Sequence, residues 1–193
     1  MQHFSRLLIA AALVAIAGGT LLGQGQGQTQ APRPVRSQSQ ELLGLWNNLH
    51  KKLNDMAADF PEDKYDFKVQ KDQRTFAENL LHVAGVDYIF LNAISETKLG
   101  PDLGSDPENP PRSIFKTKAD VANLLKQATA DGAALIQKLG DAGMDKQIKS
   151  PFGNAMMHAS FALWDDIEHA GEHFGQLVVY YRANNMVPPE SRQ

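Results

Sequence analysis

The chain has 193 residues, of which 42% are hydrophobic and 21% charged, with no cysteine and a formal net charge of −3. Without cysteine neither a disulfide nor a thiolate metal site can form, so stability must come from packing and any metal must use N and O ligands. Mild acidity without a basic patch gives no electrostatic reason to expect a nucleic-acid partner.

Arg6 is the only formal charge before the apolar run 7–17, and small and polar residues continue from there to Gln30. This is the pattern of a secretory signal peptide. The run is 11 residues long, against about 20 needed to span a bilayer, and no basic stop-transfer cluster follows it. A cleaved signal over residues 1–27 is therefore expected, giving an exported protein, periplasmic or secreted, with no stable membrane anchor. Ala15-Ile16-Ala17 has the A-x-A form of a cleavage site, and the Gly-Gln repeat at 23–28 is a second candidate. The mature chain would keep 18 Lys+Arg against 22 Asp+Glu, a formal charge of −4. Residues 28–38 are rich in Gln, Pro and Ser and read as a flexible spacer, which leaves 39–193 as the folded domain.

Leu42, Leu45, Trp46, Leu49, Leu53, Met56 and Phe60 form an apolar stripe at helical spacing, and Pro61 stops it, predicting a first helix over 39–60. A charged loop follows, with an extended piece at 66–69. The second helix is predicted over 73–96. Phe76, Leu80, Val83, Ala84 and Leu91 lie on one side, while His82 shares another face with Val86, Ile89 and Ala93. A helix apolar nearly all round must touch two neighbours. Residues 99–112 hold four prolines and two glycines, a loop longer than most helix–helix connections and a candidate crossover or lid. Thr117 with Asp120 reads as a capping box for a third helix carrying Val121, Leu124, Leu125, Ala128, Gly132, Leu135 and Leu139, ended by Gly140 and Gly143. Asn154 is the expected cap of a fourth helix reaching about residue 182. No strand-like alternation stands out, so the expected class is all-α, a four-helix bundle with a long loop between helices 2 and 3.

His169 and His173 are separated by i,i+4 and lie on one helical face flanked by Trp164, Ile167, Phe174 and Leu177. Two imidazoles so placed can ligate one divalent metal if a third ligand comes from a neighbouring helix, and His82 can be that ligand. Three protein ligands leave room for water or substrate. The competing explanation is an accidental pair among six histidines. Asp165 and Asp166, four and three residues before His169, could each accept a proton from a ring N–H. Gln176 either orients a ligand or caps a polar seam. His50 and His158 are expected to be satisfied or exposed rather than ligands, and Glu78 to be a helix-surface charge before a general base. No Gly-rich phosphate loop, serine nucleophile motif or H-E-x-x-H sequence is present.

The segment Ile167-Glu168-His169-Ala170-Gly171-Glu172-His173-Phe174-Gly175-Gln176 resembles the last helix of the DinB-like family, with its His-x3-His-x-Gly-Gln pattern. Val187-Pro188-Pro189-Glu190-Ser191 is similar to a common ending there, and Phe76-Ala77-Glu78-Asn79-Leu80-Leu81-His82 resembles the helix supplying the first metal-binding histidine. The resemblance runs over about 39–191. It implies a DinB-like four-helix bundle and a divalent metal, zinc or nickel, on His82, His169 and His173. It says little about the reaction, because relatives include thiol-dependent transferases and isomerases beside members without an assigned activity. The signal peptide departs from the cytoplasmic thiol-using members.

Two function classes follow. One is an exported metal-dependent enzyme, hydrolase or thiol-dependent transferase in type, because three-histidine coordination with open positions can activate water or a bound thiol. The other is a non-catalytic, stress-associated domain in which the ion locks helices together. An open site beneath a pocket lined by Trp164, Tyr180 or the 99–112 loop would favour the first. No catalytic residue is assigned beyond the ligands; the partners expected are a small-molecule substrate and, as an open alternative, a second copy of the chain. Ordinary imidazoles titrate near pH 6.5, so metal-dependent stability is expected to shrink below about pH 6. N-terminal sequencing of the exported protein should find its first residue between Gly18 and Ala31; full-length chain in the membrane fraction would contradict a cleaved signal.

Overall fold

The computed structural model describes residues 34–95 and 97–192. The expected signal peptide and most of the spacer lie outside the described residues. Four helices dominate: α1 (Gln38–Asp59), α2 (Phe76–Ile94), α3 (Lys118–Met144) and α4 (Ala159–Ala183). Short 3-10 turns occupy Glu62–Lys64 and Pro189–Ser191. A small antiparallel hairpin, β1 (Gln147–Lys149) with β2 (Met156–His158), precedes α4, in the register Ile148 opposite Met157. None of the described helices is long and apolar enough to cross a membrane.

The packing follows from where the apolar stripes face. Both α1 and α2 pack against α3 and α4, so the sequence neighbours α1 and α2 sit on one diagonal of the bundle and α3 and α4 on the other. α2 is buried nearly all round, as its composition predicts. Its contact with α4 brings His82 towards the histidine pair. In α1, Leu45 is turned outwards despite its place in the stripe, and His50 takes the inward position, stacked on the buried Trp46 at 3.8 Å between ring centroids. At one end of the bundle Phe60 stacks on Phe76, also at 3.8 Å, with Tyr181 edge-on to both.

Three sequence expectations need correction. The second helix starts at Phe76, not at residue 73, because Thr75 is its N-cap: the Thr75 hydroxyl accepts from Glu78 N (3.0 Å) and the Glu78 carboxylate from Thr75 N (2.7 Å). Glu78 is thus committed to a capping box and to a long ion pair with Lys68 at 3.9 Å. The fourth helix starts at Ala159, not after Asn154, because the chain between turns back as the hairpin, closed by Ser150 N to Ala155 O at 2.8 Å. Gly140 interrupts α3 with φ 52°, but the helix resumes to Met144. The capping box at Thr117 and Asp120 is as expected; of residues 66–69, Asp66 lies in a turn, Val69 in a bend, and Phe67 and Lys68 form no regular element.

α1 and α3 approach closely at Gly132, where a Cβ would overlap the Trp46 indole. The same indole donates Nε1–H to Thr129 O at 2.9 Å, which fixes its position. Gly132→Ala should therefore destabilise the domain by about 1–3 kcal/mol through overpacking. Gly175→Ala, in α4 with open space around it, should be neutral or stabilising by up to ~1 kcal/mol through helix propensity. Denaturant melts of the two variants check this; equal effects would contradict the close approach.

Candidate metal centre

The three histidines meet between α2 and α4. One potential ligand atom from each of His82, His169 and His173 lies within 4.8 Å of the others, and the Nε2 atoms of His82 and His169 are 3.1 Å apart. Two nitrogens each about 2.0–2.1 Å from one ion subtend an angle of about 100° at that separation, within the range of metal coordination.

Each ring's orientation has a local cause. His82 Nδ1 lies 2.8 Å from the carbonyl of Glu108. A carbonyl only accepts, so Nδ1 carries the proton and Nε2 is left as a lone pair. That carbonyl belongs to the 99–112 loop, which lies directly on α2 at Gly85: a Cβ there would overlap Pro107 O. Arg74 holds the same loop by donating to Asn109 Oδ1 at 2.9 Å. His173 Nδ1 lies 3.1 Å from Asn79 Oδ1. Asn79 is turned this way because its amide nitrogen donates to Thr75 O (3.0 Å) and contacts the Tyr180 hydroxyl (3.2 Å), so His173 also holds its proton on Nδ1.

Burial keeps the rings neutral. His82 and His173 are both 5% exposed. Burial first, then the charge of neighbouring His82, lowers His169 from 6.5 to about 4. Burial followed by the other two imidazoles lowers His173 to about 3, and His82 is lowered mainly by burial. Neutral imidazole is the form that ligates metal, so a site built this way stays competent below the pH at which free histidine protonates.

The triad lines a cavity of about 470 Å3. Phe90 and Phe152, edge to face at 5.4 Å, form one wall; Asp165, Glu168 and Glu172 of α4 form another; Arg74 and Gln176 close it. A second cavity of about 670 Å3, also bordered by Arg74 and Gln176, runs past Asn79 and Tyr180. The 99–112 loop reaches the cavity at the histidines through Glu108, and Tyr180 lines the second one. Trp164, half-exposed and stacked on Phe161, lines neither.

His158 stays apart, at the start of α4 with Nδ1 3.1 Å from Asp145 O. His50 is fully buried between Trp46 O (3.0 Å) and the two Asp87 oxygens (3.2 Å each). Asp165 stands half-buried on the cavity wall, whereas Asp166 turns inwards and is wholly buried. Sequence reasoning missed Asn79, Asp87, Arg74 and the Glu108 carbonyl. Asn79 and Asp87 did leave a signal: each is a polar residue inside an otherwise apolar helix, where a buried polar group needs a partner.

The family model described as the DinB superfamily matches residues 41–177. Among solved structures, a DinB-like protein from Bacillus cereus is 15% identical with a TM-score of 0.64, covering 78% of this chain and 95% of its own. The DinB-like protein YjoA from Bacillus subtilis is 20% identical with a TM-score of 0.57, covering 76% and 93%. YfiT from Bacillus subtilis, described as a probable metal-dependent hydrolase with an unusual four-helix bundle topology, is 16% identical with a TM-score of 0.56, covering 81% and 94%. No curated protein matches. At these identities the solved structures speak for the fold, and the family match spans most of the domain that carries the histidine triad: the chain belongs to the DinB superfamily.

Proposed function

We propose that this protein is an exported metal-dependent enzyme, hydrolytic in type, in which His82, His169 and His173 hold one divalent cation and a small molecule enters through the cavity above them. The observation that carries the reading is the convergence of three imidazoles, two buried and one partly buried, two with Nδ1 committed to an oxygen, at a cavity of about 470 Å3. Zinc and nickel both suit imidazole ligands. Bound there, the ion would supply Lewis acidity and a water of lowered pKa. The remaining work falls to the protein. Asp165, Glu168 and Glu172 along the wall are placed to take up a proton, Arg74 to meet a negative group, and Phe90 with Phe152 to cover apolar substrate surface. The description of YfiT as a probable metal-dependent hydrolase supports the same type of chemistry. Export rests on the pattern of residues 1–27.

An ion serving only to lock helices has no need of such a cavity, and this favours an enzyme over a structural metal domain. The deciding experiment is a panel of esters, amides and thiol-transfer substrates offered to the zinc- or nickel-loaded mature protein. Hydrolysis abolished by chelator and by His169→Ala is expected. Turnover only with a thiol cosubstrate would make it a transferase, and a loaded protein inert to the panel would leave a non-catalytic metal domain.

Metal analysis should give one divalent ion per chain. His82→Ala, His169→Ala and His173→Ala should each sharply reduce occupancy, and His158→Ala should not. Gly85→Ala, which touches no ligand, should also weaken binding, because its Cβ pushes the Glu108 carbonyl away from His82. Full metal content in the three ligand variants would refute the site.

The depressed histidine values fix the sign of the pH dependence. The unfolded chain takes up protons near pH 6.5 and the folded site only near 3 to 4. The unfolded state therefore binds more protons within that window, and stability present above pH 6.5 is lost as pH falls through it. The apoprotein should melt lower at pH 5.5 than at pH 7.5. The folded site is still neutral at pH 5.5, so added metal should still raise the melting temperature there, by ~2.7 kcal/mol of stability at 100-fold excess over the dissociation constant. This differs from the loss below about pH 6 expected of ordinary imidazoles. Thermal melts with and without chelator at both pH values test it; no metal effect at pH 7.5 would rule out a bridging ion.

A further inference from the structure

Among the described residues, three buried polar side-chain atoms find no partner of the complementary kind: both oxygens of Asp166, whose neighbour is a second carboxyl, and Nδ1 of His169. They lie three residues apart on α4, on neighbouring positions of one helical face. Native folds seldom bury polar atoms without partners, and a coincidence of all three beside one metal ligand calls for a physical explanation.

Behind them lies a buried polar chain. Asp166 and Asp87 are both 0% exposed. Burial, followed by the negative charge of Asp87 and a carboxyl–carboxyl hydrogen bond with it, holds Asp166 well above the ordinary carboxylate range. The charge of Asp87 also reaches His169, where it opposes the effect of burial. Asp87 in turn contacts His50 Nε2 through both oxygens at 3.2 Å. His50 Nδ1, 3.0 Å from the Trp46 carbonyl, must be the donor of that bond. The groups run from α4 through α2 to α1.

We propose that Asp166, backed by Asp87 and His50, accepts the Nδ1–H of His169 in the metal-bound protein and is thereby a positioning residue of the metal centre. The role rests on the metal reading above. His82 has its proton on Nδ1, given to the Glu108 carbonyl, so the 3.1 Å contact between the Nε2 atoms of His82 and His169 needs a proton on His169 Nε2. A neutral His169 then has a bare Nδ1, which matches the unpartnered atom found there. An ion on Nε2 requires the other tautomer. The ring's single proton moves from Nε2 to Nδ1, leaving its proton count unchanged, and the new buried N–H needs an acceptor. His82 has Glu108 O and His173 has Asn79 Oδ1. His169 lacks its counterpart, and Asp166, one turn away, has a carboxyl oxygen left to accept once its proton is shared with Asp87. Asp165 is the poorer candidate, being half-buried on the cavity wall.

The test is Asp166→Leu, which removes every acceptor at that position with little change in shape, with Co2+ affinity measured by competition against a chromophoric chelator and the apoprotein melting temperature measured in parallel. Outer-shell partners of this kind typically change metal affinity 10–100-fold, so Co2+ should bind about 10–100-fold more weakly. The apoprotein should melt at the same temperature or higher, because a buried carboxyl packed against the charge of Asp87 has gone. A merely structural Asp166 would lower the melting temperature and leave the affinity alone. Co2+ affinity within twofold of the natural protein's overturns the proposal. Failure of the natural protein to bind Co2+ overturns the metal reading, and this role with it. If the variant does not fold, 15N-histidine NMR of the natural Zn2+-loaded protein decides. A slowly exchanging His169 Nδ1–H, assigned through its ring protons, is expected, and one exchanging freely with water overturns the proposal.

Discussion

Each imidazole at this centre must give one nitrogen to the protein before it can offer the other to an ion. A free histidine exchanges tautomers and rotates its ring, so three of them gathered by packing alone would present a mixture of N–H groups and lone pairs to the cavity. Here the Glu108 carbonyl and the Asn79 amide oxygen take the Nδ1 protons of His82 and His173. Both acceptors are themselves held, the first by a loop lying on Gly85 and the second by hydrogen bonds to Thr75 O and the Tyr180 hydroxyl. Thr75 serves twice, since its hydroxyl also caps α2. The cap that starts the helix and the amide that orients a ligand therefore share one residue, and local helix chemistry is tied to the site.

Burial does two opposed things at this site. It depresses the histidine proton affinities and so keeps lone pairs ready for metal. It also makes every unpaired polar atom costly, which is why acceptors are needed for the ring protons. The bundle meets both demands through its diagonal arrangement, in which α2 contacts α3 and α4 at once. The inward side of α2 carries apolar residues and Asp87, while the side carrying His82 opens to the cavity. A helix packed on one neighbour only could not bury Asp87 and still lend His82 to α4.

The features legible in the sequence were those whose cause is local. The i,i+4 spacing of His169 and His173, the apolar stripes, and the Thr117 and Asp120 capping box each lie within a turn or two of chain. The Thr75 to Glu78 box was equally local, but apolar periodicity carried the expected helix two residues past it. The hairpin before α4 was not legible, because strands of three residues are too short to show alternation. Asp165 and Asp166 could not be separated by spacing, as both fall within one turn of His169. The packing of α4 against α2 turns Asp166 inwards and leaves Asp165 on the cavity wall. The Glu108 carbonyl left no trace at all, since any residue type supplies a backbone oxygen.

An acceptor contributed by the backbone demands no particular side chain at its own position. It demands a path: the loop must pass close enough to α2 for a carbonyl to reach a ring nitrogen. In this chain the demand is transferred to Gly85, whose missing Cβ leaves the room that Pro107 and Pro110 occupy. Pro110 is itself buried, and Arg74 anchors the loop beside it through Asn109. The residues that govern the orientation of His82 thus include a glycine and two prolines with no ligating atom among them, and the chemistry of the centre depends on backbone course as much as on the imidazoles.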